Sequence, residues 1–164
     1  MKRLYVFLAL ALSFVIYAFY RNEHTVINVL LKRVLSDENY FAMRNFFQTF
    51  PLPKIIIFSL PEGLWIFCAT VVSGNIFIEY GKIKINLTWL PIMFCALLEF
   101  MQLIKITNGT FDVMDILVGL IFWLLALASQ KNSAPEKFIL NKTISLRTFY
   151  LAGIYGIVYL SDIY

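Results

Sequence analysis

Apolar residues fall along this chain in long runs, and polar residues gather in the connections between them. The runs cover about residues 4–20, 60–78, 87–106, 112–129 and 146–163. At about 1.5 Å of rise per residue, a helix of this length approaches the roughly 30 Å hydrocarbon thickness of a bilayer. The pattern predicts an all-α, polytopic membrane helix bundle with about five transmembrane helices, forming a single integral membrane domain over residues 1–164. Met1-Lys2-Arg3 gives the first run the basic start of a signal sequence. The run is longer than an ordinary signal core and lacks a small-residue cleavage site, so it is predicted to be a retained span.

Between the first two runs, residues 21–54 are mixed. Val26, Ile27, Leu30, Leu31, Val34 and Leu35 recur at helical spacing, and Tyr40, Met43, Phe46, Phe47 and Phe50 repeat the pattern after Asp37-Glu38-Asn39. Neither stretch is long or apolar enough to span, which predicts interfacial amphipathic helices. Pro51 and Pro53 close this region. Ser59-Leu60-Pro61-Glu62 reads as a capping box with proline in the first helical turn, so the second span is expected to begin near Leu60 with Glu62 at its entrance. Glu79 to Asn86 is expected to be a short polar turn, Thr107-Asn108-Gly109-Thr110 a second turn, and 131–147 a loop. Gly119, Gly153 and Gly156 are placed to permit close helix contacts.

Composition agrees with the pattern. Of the 164 residues, 60% are hydrophobic and 15% charged, too apolar for one water-soluble core. The 14 Lys and Arg residues give a net charge of +4 and cluster between the runs, with no basic face suited to nucleic acid. Cys68 and Cys95 fall inside predicted spans and read as free, packed thiols. The 79–86 turn carries Lys82 and Lys84, and the 131–147 loop carries Lys131, Lys137, Lys142 and Arg147. With Lys2 and Arg3, this bias predicts an N-terminus in the cytoplasm and an extracytoplasmic C-terminus, although the five basic residues of 21–54 oppose it.

Chemistry concentrates between Leu98 and Trp123. Glu99 and Gln102 share one face of the third predicted span, and Asp112 and Asp115 share one face of the fourth. In an antiparallel hairpin both pairs sit at one end, with Glu99 roughly 12 Å below the hinge. Ionisable groups at that depth cost at least about 2.5 kcal/mol each, which marks the hinge as the default functional site. Asp112 and Asp115 also suit a helix's first turn, where acids complement the positive end of the helix. Capping does not account for Glu99, which is expected to be neutral and hydrogen-bonded to Gln102 or a facing aspartate. The expected ligand-binding residues are Glu99, Gln102, Asp112, Asp115 and Glu62. Glu62, Glu99, Asp112 and Asp115 offer hard oxygen ligands, but no diagnostic metal spacing is present, and neither a metal nor a cofactor is assigned. His24 is expected on the surface. Nucleophile signatures and phosphate loops are absent.

At these residues the chain resembles the VanZ-like family of small bacterial membrane proteins. Leu60-Pro61-Glu62-Gly63-Leu64-Trp65 is similar to that family's Leu-Pro-x-x-Leu-Trp motif, Glu99 and Gln102 to its Glu-x-x-Gln pair, and Asp112 and Asp115 to its Asp-x-x-Asp. The likeness covers roughly residues 55–125 and is to a divergent branch, with Gly109 and Gly119 where the family carries arginine and asparagine. It implies a bacterial cytoplasmic-membrane protein of the cell envelope, associated with low-level resistance to glycopeptides of the teicoplanin type. The expected partners are membrane lipids, with a lipid-linked envelope precursor or a lipoglycopeptide as ligand. The first reading is a binding protein with an acidic outer-leaflet pocket. Its rivals are a membrane-embedded enzyme acting on an envelope lipid through a carboxylate or a metal, and an assembly subunit whose acids pair with a basic partner helix.

Overall fold

In a computed structural model of the chain, the described residues are 2–22, 26–74, 76–80, 83–107, 110–130 and 138–139, together with Gly153. His24 and, apart from Gly153, the expected fifth span lie outside them. The described part is mostly helical: α1 (Lys2–Tyr20), α2 (Val26–Leu35), α3 (Asp37–Gln48), α4 (Lys54–Ser73), α5 (Leu90–Leu103) and α6 (Val113–Gln130). Three short strands, β1 (Ile76–Tyr80), β2 (Ile83–Asn86) and β3 (Phe138–Ile139), and a 3-10 turn at Leu87–Trp89 complete it.

Two helices, α4 and α6, are long and apolar enough to cross a membrane, so the five expected spans are not reproduced. The second span moves upstream. The apolar Ile55-Ile56-Ile57-Phe58 run joins the helix, which starts at Lys54 behind Pro53, and Ser59 and Glu62 lie inside it rather than capping it. Pro61 is therefore internal and removes the amide that would bond the Ile57 carbonyl. Its own carbonyl accepts a hydrogen bond from Ser13 Oγ of α1 (3.2 Å). The third span is shortened to α5, whose 14 residues give about 21 Å at 1.5 Å each.

Between α4 and α5 the expected turn is a hairpin. β1 and β2 pair antiparallel, Tyr80 opposite Ile83 and Phe77 opposite Asn86, and β3 adds parallel to β1. The 3-10 turn after β2 is capped by Asn86, whose side chain accepts from the Thr88 amide (3.0 Å). The Thr88 carbonyl in turn accepts from Trp123 Nε1 of α6 (2.9 Å).

The paired residues fix the helix directions. Ser13 meets Pro61 and the Cys68 thiol donates to the Val6 carbonyl, so α1 and α4 run antiparallel. Gly63 lies against Val118 and Phe122, and further along both helices the Thr70 carbonyl accepts from Gln130 Nε2 (2.8 Å), so α4 and α6 run parallel. Trp123 meets Thr88 while Cys95 meets Gly119, so α5 runs against both. The core between α4, α5 and α6 is built from Trp65, Ile66, Ala69, Cys95 and Trp123, and both cysteines are free and buried.

α2 and α3 follow the end of α1. The last carbonyls of a helix lack internal partners, and α3 supplies donors for them. Tyr40 Oη donates to the Ala18 carbonyl (3.3 Å), and the buried Arg44 donates to the Arg21 carbonyl (2.7 Å) and to Tyr40 Oη (3.0 Å). A guanidinium at this end also complements the negative pole of α1. Phe19 stacks on Phe47 at 4.5 Å between ring centroids. Asp37 and Glu38, read from sequence as a separator, form the first turn of α3.

The crossing of α4 and α6 depends on small residues. A Cβ placed on Gly63 would come within 2.6 Å of the Phe122 ring and 2.8 Å of Val118, and one on Gly119 within 2.7 Å of Ile66. Gly63→Ala is expected to lower stability by about 1–3 kcal/mol through overpacking, although alanine itself favours a helix by roughly 0.5–1 kcal/mol. Thermal unfolding followed by circular dichroism in non-ionic micelles measures this, and an unchanged or raised midpoint would contradict the packing.

Candidate functional site

The end of α5 and the start of α6 create the site. α5 closes with two hydrogen bonds, Lys105 N–H to the Gln102 carbonyl (3.0 Å) and Ile106 N–H to the Met101 carbonyl (2.9 Å). Lys105 sits in the left-handed region with φ 60°. This is the Schellman arrangement, with a lysine where glycine is usual. It ends the helix earlier than the expected 106, so Glu99 lies four residues from the last helical position, about 6 Å deep rather than 12 Å.

α6 then begins with Asp112 as its N-cap. Asp112 Oδ1 accepts from the Met114 amide (2.8 Å), which satisfies one of the free donors of the first turn. The Asp112 amide itself points back to α5 and donates to Glu99 Oε2 at 2.9 Å. Glu99 is only 3% exposed. Its carboxyl is thus held by a backbone amide at the positive end of α6, the placement that favours a carboxylate. This backbone amide is a partner beyond the side chains of Gln102 and the aspartates expected from the sequence.

Two further carboxyls complete the arrangement. Asp115 lies in the first turn of α6, one turn after the cap, and Glu62 comes from α4 beside Pro61. One carboxylate oxygen from each of Glu62, Glu99 and Asp115 lies within 4.8 Å of the other two. Gly63 and Gly119 permit this, because they let α4 and α6 approach just inside the level of the acids. The Cys95 thiol, one turn before Glu99, lies in hydrogen-bonding range of Glu62. Asp115 Oδ1 has less than 1 Å² of accessible surface and accepts no hydrogen bond.

The five expected ligand residues therefore divide. Glu62, Glu99 and Asp115 converge. Asp112 caps α6 with its side chain and holds Glu99 with its amide. Gln102 is half-buried one turn along α5, and its carbonyl accepts from Lys105 in the helix closure. Cys95 was read only as packing, and no spacing in the sequence ties it to Glu62.

Charge decides what such a centre can do. Two full negative charges at this separation repel by about 3–4 kcal/mol at an effective dielectric near 20, and three make three such pairs. One amide and one helix dipole offset part of this. The balance is met by protons, by a cation, or by a positively polarised group of a ligand. Glu62 and Asp115 are partly exposed, which leaves the centre a route to its surroundings.

Two outcomes test the local construction. Lys105→Gly is expected to raise stability by about 1 kcal/mol by relieving the left-handed residue, and a fall in the unfolding midpoint would contradict the closure. Asp112→Ala is expected to cost about 1 kcal/mol and Asp112→Asn almost nothing, since asparagine caps as well as aspartate. Equal losses for both would show that the Asp112 charge matters beyond the cap.

No family model, no curated protein and no solved structure matches this chain.

Proposed function

We propose that the protein is a bacterial multi-pass membrane protein whose acidic centre binds the cationic or hydroxyl-rich headgroup of a cell-envelope lipid, or a glycopeptide-type ligand. The observation that carries this reading is the convergence of Glu62, Glu99 and Asp115, from three different helices, on one point. Surface residues have no need of such convergence, and an apolar bundle tolerates it only with compensation.

Three features support the membrane part. Only 17% of the apolar window of α6 is buried by the rest of the chain, against 50% for α4. Leu117, Leu120, Ile121, Leu124 and Leu125 of α6 are exposed, as a lipid-facing surface requires. The antiparallel order sets the acidic centre at the α1 C-terminal end of the bundle, opposite the α1 N-terminus, the hairpin and the end of α6. Those opposite connections carry more basic residues than the acidic end does, which by the positive-inside rule supports an outer-leaflet position for the acids and a cytoplasmic N-terminus. In this reading α1, α5 and residues 146–163 complete the spans, the C-terminus is extracytoplasmic, and α2 and α3 lie at the outer interface. The likeness to VanZ-like proteins at Leu60–Trp65, Glu99, Gln102, Asp112 and Asp115 points to the same side and to a role in envelope physiology or glycopeptide resistance.

The test is lipid analysis of the full chain extracted in native membrane discs. One envelope-lipid class is expected to be enriched several-fold over the bulk membrane, and Glu99→Gln is expected to abolish the enrichment while circular dichroism shows unchanged helicity. Identical lipid profiles for parent and variant would sink the reading.

A further inference from the structure

We propose that the outward face of the α2 and α3 pair is a binding surface for anionic phospholipid, with Arg33 taking the lipid phosphate. This rests on the interfacial placement of α2 and α3 given above and adds a lipid site apart from the acidic centre.

Both helices are inside out. In α2 the inward side carries Asn28, which is fully buried and donates to the Asn22 carbonyl (2.7 Å). The outward side carries Val29, Leu30 and Val34, the last 80% exposed. In α3 the buried residues are Tyr40 and Arg44, whose donors close the end of α1. Met43 and Phe46, with Phe50 just past the helix end, are exposed, and the Phe46 and Phe50 rings meet edge to face at 5.9 Å. Asn45 and Gln48 lie on the other exposed side of α3. A helix at the surface of a water-soluble protein turns its apolar stripe inward. These two turn polar groups inward and apolar ones outward, which gives a surface of the kind that interfacial helices insert among acyl chains.

Charge names the lipid. Arg33 follows Val29 by four residues and Leu30 by three, so it stands in the middle of the apolar face of α2, where it is exposed. With its neighbours among the acyl chains, a long cationic side chain reaches back to the headgroup layer, and its planar fork fits two phosphate oxygens. Lys32 beside it is held at the seam with α3, its Nζ 4.8 Å from the Phe41 ring centroid and 5.3 Å from that of Tyr40. From α2 to the start of α4 the chain carries Lys32, Arg33, Arg44 and Lys54 against Asp37 and Glu38, an excess that favours an anionic surface.

The full chain in vesicles of phosphatidylcholine and phosphatidylglycerol, carrying single-cysteine labels, tests this. Cys68 and Cys95 are buried, and the parent supplies the labelling blank. A nitroxide on Phe46→Cys is expected to relax faster with oxygen than with a water-soluble nickel chelate, and one on Asn45→Cys faster with the chelate. Should Phe46→Cys not fold, Phe50→Cys takes its place. A bimane on Leu30→Cys is expected to be quenched about twofold more by brominated phosphatidylglycerol than by brominated phosphatidylcholine. Adding Arg33→Gln is expected to bring the two lipids level, whereas Lys105→Gln, an equal loss of charge at the end of α5, leaves the preference intact. An unchanged preference in Arg33→Gln would overturn the proposal. So would relaxation at Phe46 dominated by the chelate, or protection from both reagents with spin broadening, as a second copy of the chain would give. A nitroxide on Leu120→Cys of α6 separates this from the membrane reading. Oxygen-dominated relaxation there with chelate-dominated relaxation at Phe46 removes the α2 and α3 surface alone, and chelate-dominated relaxation at both removes both.

Discussion

A buried carboxyl must be held by donors, and the way this chain holds Glu99 governs the geometry around it. One of its partners is the Asp112 amide, which is available because α6 starts there. The amide reaches Glu99 because α5 stops at Leu103 and turns back through Lys105. Helix closure, helix start and acid position are thus one construction. A longer α5 would carry the chain away from Glu99, and a different N-cap would turn the amide elsewhere.

The rest of the bundle serves that construction from two sides. Gly63 and Gly119 let α4 and α6 approach closely, and this brings Glu62 beside Asp115. At the far end, Trp123 ties α6 to the 3-10 turn before α5 through Thr88, which fixes the hairpin of α5 and α6 over its whole length. α1 stands outside this trio, packed on α4, and its open carbonyl end is closed by Tyr40 and Arg44 of α3. Burying an arginine is favourable here because its donors meet orphan carbonyls that water would otherwise have to reach.

The sequence made the helical class legible, because runs such as 113–130 have no polar face to spend on solvent. It also showed which acids belong together, since Glu99 and the two aspartates flank one hinge. It was less informative at helix boundaries. Ser59-x-x-Glu62 has the residues of a capping box, yet Ile55 to Phe58 are apolar and extend the helix upstream, so the box lies in its interior. Ile76 to Asn86 was hidden by its hydrophobicity. Its alternation around Gly81-Lys82 is a hairpin signal, but Ile76, Phe77 and Ile78 also read as the tail of a span. The Lys105 closure had no sequence signature, because lysine rarely takes that conformation while Asn108-Gly109 nearby invites it. The Glu99 partner was illegible for another reason: it is a backbone amide, which every residue offers.

What binds these observations is the claim that Glu99 and Asp115 share one electrostatic environment. A double-mutant cycle with Glu99→Gln and Asp115→Asn measures it directly, from the stabilities of the four proteins in EDTA and non-ionic micelles. Groups in contact couple by about 0.5–3 kcal/mol, whereas distant ones add to within about 0.5 kcal/mol. A coupling of at least about 1 kcal/mol is expected; simple additivity would contradict the shared centre.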